Sequence, residues 1–183
     1  MRPVFIVGCP RSGTTILQAT LCKSGLHITN EHRFLDLWRN QQLEVKINGV
    51  HGYGKYALPK EYFDISTRLI DKYMKKAYLE FHKGHKVFGD KYPPMLTYLD
   101  WIRERFPAKF LICERDKDET VESMAKHSPV DIKDLINTYD VYQKHLENNR
   151  DKEDCLVVNL HNIDKSAVES FLGANIDFSL YVR

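Results

Sequence analysis

No stretch of this 183-residue chain approaches the ~20 consecutive apolar residues of a membrane-spanning helix. Nor does a basic-then-apolar leader open it, so the chain as given is expected to be cytoplasmic, with no membrane partner. Cysteine is scarce. Cys9, Cys22, Cys113 and Cys155 lie far apart and form no C-x-x-C pair, which signals neither a zinc site nor a disulfide framework. Each is expected to be a reduced, buried small hydrophobe, and no metal site is called for. An excess of one charge is missing too: the net charge of +2 leaves no broad basic field for nucleic acid, whereas a nucleotide cofactor needs only local cations. Repeats and low-complexity segments are absent. What is present, 43% hydrophobic and 11% aromatic residues, suits a folded globule, and the length suits a single domain over residues 1–183.

The most informative stretch is Phe5-Ile6-Val7-Gly8-Cys9-Pro10-Arg11-Ser12-Gly13-Thr14-Thr15, where an apolar strand breaks into a glycine-bounded loop and passes straight into a helical pattern. Gly8 and Gly13 have the separation of the two glycines in G-x-x-x-x-G-K-[ST], a loop whose backbone N–H groups converge on phosphate oxygens. The following helix adds its unpaired N–H groups and the positive end of its dipole. One element of that pattern is lacking. Thr14 stands where the phosphate-reaching lysine belongs, and the nearest cation is Arg11, inside the loop, which argues against ATP hydrolysis. A cysteine nucleophile is also disfavoured, because a phosphatase loop needs five residues between Cys and Arg and only Pro10 separates Cys9 from Arg11.

The rest alternates between strand and helix. A helix over Ile16, Leu17, Thr20 and Leu21 ends at Gly25; His27-Ile28-Thr29-Asn30 is extended and runs into the charged Glu31-His32-Arg33. Residues 39–61 read as a loop or lid. In the helix from Tyr62 to Lys83, Ile65, Leu69, Tyr73, Ala77 and Phe81 fall every four residues and are expected to face a core. Lys86-Val87-Phe88 is a short strand leading to a turn, Gly89 to Pro94, followed by a helix that Pro107 stops. Lys109 to Cys113 is apolar enough for a strand covered on both faces, with Arg115 emerging from its carboxyl end. Asp118 is expected to cap the next helix, a second helix follows from about Asp131, and a capped third runs from Asp164 to Leu172 and is ended by Gly173; Cys155 to Leu160 is a buried strand, and the tail from Ile176 to Val182 alternates like an edge strand. The expected class is therefore α/β, a three-layer sandwich with a mostly parallel sheet and a P-loop after its first strand.

Pro10 to Thr15 match residue for residue the P-[RK]-S-G-T-T loop of the P-loop sulfotransferases, and the chain resembles that family. Asp90-Lys91-Tyr92-Pro93, Leu99, Phe106 to Leu111, Arg115-Asp116 and Ser123-Met124 extend the likeness, most closely to the tyrosylprotein sulfotransferases. The resemblance implies that the loop, Pro10, Arg11, Ser12, Gly13, Thr14 and Thr15, cradles the 5′-phosphosulfate of 3′-phosphoadenosine 5′-phosphosulfate (PAPS). It implies that Arg115 and Ser123, eight residues apart, bind the 3′-phosphate, and that the product is adenosine 3′,5′-bisphosphate (PAP). Glu31 falls in the place of the catalytic glutamate of an E-x-R motif and would take the acceptor proton, with Arg11 and Lys91 as the cations at the leaving oxygen.

Other readings of the same residues compete. Arg115 as a surface arginine would pair with Asp118 or Glu119, and Glu31 with Arg33; cytosolic sulfotransferases look to a histidine base, for which His51 and His32 are the candidates. The chain departs from the tyrosylprotein pattern at His127, where a further arginine is usual, at Leu160-His161, where a tyrosine is usual, and in ending at Arg183 without the late nucleotide-covering loop. The acceptor, a glycan, a peptide tyrosine or a small phenol or alcohol, stays open, as does the oligomeric state. A P-loop small-molecule kinase and an inactive nucleotide-binding module are the rival functions.

Overall fold

A computed structural model describes residues 2–31, 33–41 and 60–181. The expected His32 and the loop residues His51, Tyr53, Lys55 and Tyr56 lie outside the described residues. The chain divides into two compact units, Met1–His32 with His85–Arg183, and Arg33–Gly84.

The first unit holds a five-stranded sheet of order β2-β3-β1-β4-β5, with every pairing parallel. β1 is Val4–Gly8, β2 His27–Asn30, β3 Phe88–Lys91, β4 Lys109–Glu114 and β5 Cys155–Asn159. β1 is buried along its whole length and sits at the centre, Ile6 lying opposite Lys91 on one side and Leu111 on the other. A strand covered on both faces can be apolar throughout, which is why Val4 to Val7 and Phe110 to Cys113 read as uninterrupted runs. One face packs Ile6, Ile28, Leu111 and Val158 against Leu17 and Leu21 of α1 (Thr14–Lys23), Val168 and Leu172 of α7 (Lys165–Leu172), and Phe178. From the other face, Phe5 meets Phe110 at 5.8 Å and Phe106 at 6.4 Å.

The approach of β3 to β1 depends on Gly89, where a Cβ would stand 1.7 Å from the Val4 carbonyl oxygen. Arg103, at the end of α4 (Leu99–Arg103), grips Asp154 with Nε at 2.7 Å and Nη2 at 3.0 Å, fastening α4 to the approach to β5. Burial works to raise the Asp154 carboxyl, but the Arg103 hydrogen bonds overcome it and hold the group below the usual aspartate range.

Several sequence expectations are corrected. The cap of α5 (Lys117–Ala125) is Asp116, whose carboxylate accepts from Glu119 N at 3.1 Å, two residues before the expected Asp118. β3 begins at Phe88 and includes Lys91, because parallel pairing with both β1 and β2 extends the strand into the expected turn. The prolines that follow start a 3₁₀ helix, Pro93–Tyr98, ahead of the short α4. The tail forms a 3₁₀ turn, Phe178–Tyr181, that buries Phe178 on the core in place of an edge strand. α6 (Ile132–Glu147) starts next to Asp131 as expected, with the Asp131 carboxylate as its cap, and Asp164 caps α7, which ends at left-handed Gly173, as expected. Cys9, Cys113 and Cys155 are buried free thiols; Cys22 is free but exposed.

In the second unit, residues 34–41 form α2 and Lys60–Phe81 form α3. Trp38 Nε1 donates to Asp71 Oδ1 at 3.0 Å, and Phe34 packs on Tyr78 at 5.8 Å. The row expected to face a core is instead exposed, Tyr73 at 63% and Phe81 at 59%. Asp71 and Tyr78 are among the residues that meet α2, and Tyr73 lies about 200° around the helix from Asp71. Among the described residues, no helix is long and apolar enough to cross a membrane.

Candidate active site

The chain leaves β1 toward β2 on one side and later crosses from β3 to β4 on the other, so its direction reverses at β1. In open parallel sheets the crevice beyond the carboxyl ends at such a reversal is where ligands bind. The loop Cys9 to Gly13 stands there, Glu31 follows β2, Lys91 ends β3, Arg115 follows β4 and His161 follows β5. Four of these five groups were singled out for function from sequence, and a sheet parallel throughout brings all five to one end.

The loop has the layout expected of an anion site. Ser12 N closes a turn on the Cys9 carbonyl at 3.1 Å, and Gly13, at φ 96°, enters α1 without supplying a side-chain cap, so the first-turn N–H groups keep no partner within the helix. Gly13 is confined as well as left-handed, since a Cβ there would meet Leu160 Cδ1 at 2.6 Å. Ser12 Oγ is buried with no hydrogen-bond partner. An orphaned hydroxyl beside an uncapped helix start, with Arg11 in the same loop, fits a bound phosphate group. Burial pushes the Cys9 thiol up to about 12, which removes it as a nucleophile.

Glu31 and Lys91 meet twice. Glu31 N donates to the Lys91 carbonyl at 2.8 Å, and Lys91 Nζ donates to Glu31 Oε1 at 2.6 Å. Lys91, expected in a turn, is buried at the end of β3, while the Glu31 side chain remains 47% exposed. The ion pair uses Oε1 alone. Glu31 at φ 50° and Arg11 at φ 71° both hold left-handed backbone, which is costly for a residue with a Cβ and collects at functional sites.

Arg11 links the loop to α5. Its Nε donates to Ser123 Oγ at 3.1 Å, and its Nη2 lies 3.4 Å from His127 Nε2. His127 Nδ1 is 2.9 Å from the Ser123 carbonyl, which can only accept, so Nδ1 carries the proton and Nε2 is free to accept from Arg11. Arg115 Nη1 donates to the Arg11 carbonyl at 3.3 Å and Nε to Glu119 Oε2 at 2.9 Å. Arg115 and Ser123 are thus brought together through Arg11, with Arg115 on the carboxylate that the surface reading offered. Tyr139 OH donates to the Arg115 carbonyl at 3.1 Å and fixes that turn from α6. Glu114 accepts from Arg150. The same Glu119 oxygen lies 2.6 Å from His161 Nε2, a contact that sequence reasoning missed, although the i,i+4 spacing of Arg115 and Glu119 signals half of it.

Among solved structures the chain is similar to TT1252 from Thermus thermophilus, at 13% identity with a TM-score of 0.56, covering 94% of this chain and 96% of that one. It is also similar to a sugar kinase from Janibacter sp. HTCC2649, at 16% identity with a TM-score of 0.52, covering 95% and 94%. Identities this low speak for a shared fold alone. No curated protein matches the sequence. A family model described as "Sulfotransferase family" matches residues 3–168, most of the chain, and with the loop and strand-end groups already in place this chain belongs to the sulfotransferase family.

Proposed function

We propose that this chain moves a sulfuryl group from PAPS to an acceptor hydroxyl or amine, releasing PAP, and that within its family it works as the tyrosylprotein enzymes do, with a glutamate base. The observation that carries the reading is the Glu31–Lys91 pair at the ends of β2 and β3, beside a phosphate-type loop whose lysine position holds Thr14. PAPS would supply an already activated sulfuryl group. Pro10 to Thr15 would hold its 5′-phosphosulfate on the N–H groups of the α1 start, and Arg115 with Ser123 its 3′-phosphate.

Glu31 would accept the proton of the acceptor hydroxyl, and Arg11 and Lys91 would stabilise the negative charge that develops on the departing nucleotide's bridging oxygen. Lys91 also holds the Glu31 carboxylate in place through Oε1.

The test is transfer of labelled sulfate from PAPS to a panel of glycan, peptide-tyrosine and phenol acceptors, run with thermal melts in PAP without Mg²⁺ and in ATP with Mg²⁺. Transfer together with stabilisation by PAP is the expected result. Stabilisation by ATP with Mg²⁺ alone would turn the reading to a kinase, and stabilisation by neither to an inactive module.

A further inference from the structure

Glu119 occupies the place of a foreign anion. Its Oε2 receives Arg115 Nε at 2.9 Å and lies 2.6 Å from His161 Nε2, so groups from the ends of two different strands converge on one oxygen. His161 is steadied there by its own N–H, which donates to Asn159 Oδ1 at 2.9 Å. Arg115 is aimed by its second bond, Nη1 to the Arg11 carbonyl, which ties its guanidinium to the phosphate-type loop.

The carboxylate that fills this receptor is poorly fitted to stay. Glu119 engages the Nε–Nη2 edge of Arg115 through Nε only, whereas a tetrahedral phosphate can take both nitrogens of that edge. Its side chain is 45% exposed on the first turn of α5 and can swing into water, and exposed i,i+4 pairs of this kind are weak. Hydrogen bonds from Arg115 and then His161 hold its carboxyl below the usual glutamate range, so it is a true anion while it is there.

We infer that Glu119 is a displaceable stand-in for the 3′-phosphate of the nucleotide, and that His161 joins Arg115 in gripping that phosphate once Glu119 leaves. The inference rests on the PAPS reading above and deepens it, since it makes this chain select 3′-phosphorylated nucleotides by an exchange of anions. A dianion outcompetes a single carboxylate for the same donors, and a nucleotide without the 3′-phosphate leaves Glu119 where it is.

Titration calorimetry of PAP and of adenosine 5′-phosphate, on wild type and on Glu119→Gln, His161→Ala and Glu122→Gln, tests this, with circular dichroism melts to confirm folding. Glu119→Gln keeps a hydrogen-bonding group but removes the competing charge, so PAP should bind about tenfold more tightly; His161→Ala should bind PAP about tenfold less tightly. Neither variant should alter the 5′-phosphate. Glu122→Gln removes the same charge from the same helix at a side chain paired with Lys126, and should leave both ligands unchanged. Weaker or unchanged PAP binding by Glu119→Gln overturns the inference and makes Glu119 a positioning residue for Arg115. So does an equal gain for both nucleotides, or no effect of His161→Ala. Should wild type itself fail to prefer PAP over the 5′-phosphate, the PAPS reading falls and the inference with it; a preference in wild type with the wrong sign in the variants sinks the inference alone.

Discussion

In the Glu31–Lys91 pair the ammonium is buried and the carboxylate is not: the Lys91 side chain is 2% exposed and that of Glu31 47%. Removing either partner breaks the same 2.6 Å contact, yet the groups left behind differ. Lys91→Met replaces a buried stem with an apolar one of similar length and leaves a half-exposed carboxylate that water can solvate, so it should cost about 1 kcal/mol or less. Glu31→Ala leaves a buried ammonium without its counter-charge, a situation that costs about 3 kcal/mol or more. The double variant removes the stranded charge and should be more stable than Glu31→Ala alone, which is a coupling visible in a double-mutant cycle. Urea unfolding followed by circular dichroism, extrapolated to water, measures all four proteins. If Lys91→Met is the costlier single change, or the double variant is no better than Glu31→Ala, then burial does not govern this pair and the account of it is wrong. Transfer activity should be lost in all three variants, so the stability ordering is independent of the functional proposal.

Two further outcomes concern the scaffold. Because Asp154 is held below the ordinary aspartate value of 3.8, its pairing with Arg103 contributes stability that is fully present above that value and is lost as pH falls through the lowered one. Arg103→Ala should therefore lower the urea midpoint at pH 6, and its curve should draw together with that of wild type in acid; parallel curves down to pH 2 would show that Asp154 is not the responsible group. Gly89→Ala places a methyl 1.7 Å from the Val4 carbonyl oxygen, between backbones that cannot both stay, and should cost more than about 4 kcal/mol, seen as insoluble or unfolded protein. A soluble variant with a wild-type melt would mean that β1 and β3 separate easily.

The strands that were plain in the sequence are those the sheet covers on both faces. β1 and β4 needed no pattern beyond apolar continuity, and the loop between Gly8 and Gly13 followed from β1 ending where a helix starts. Elements settled by partners were harder to see. Lys91 sits among residues that look like a turn, and only pairing with β1 and β2 makes it the end of a strand. Period revealed that α3 has an apolar row, but not that α2 covers the side bearing Asp71 and Tyr78. Glu31, Lys91, Arg11, Arg115 and Ser123 were all nominated from sequence, and the i,i+4 spacing of Arg115 and Glu119 hints at their pairing; that Arg11 joins Ser123, and that Glu119 also reaches His161, depends on side chains more than 40 residues apart and leaves no local trace.

The central position of β1 bears on how this protein is made. β1, Val4–Gly8, precedes both of its neighbours, Phe88–Lys91 and Lys109–Glu114, in the chain, so the strand that leads into the Gly8–Gly13 loop has no partner until the long segment up to β3 has followed it. Contacts of such long sequence separation close slowly and against chain entropy. The apolar run Val4 to Val7 must wait unpaired in the nascent chain, the kind of segment that chaperones shield. The Gly8–Gly13 loop, though it precedes β3 and β4 in sequence, is held in place only once those strands have arrived to flank its own.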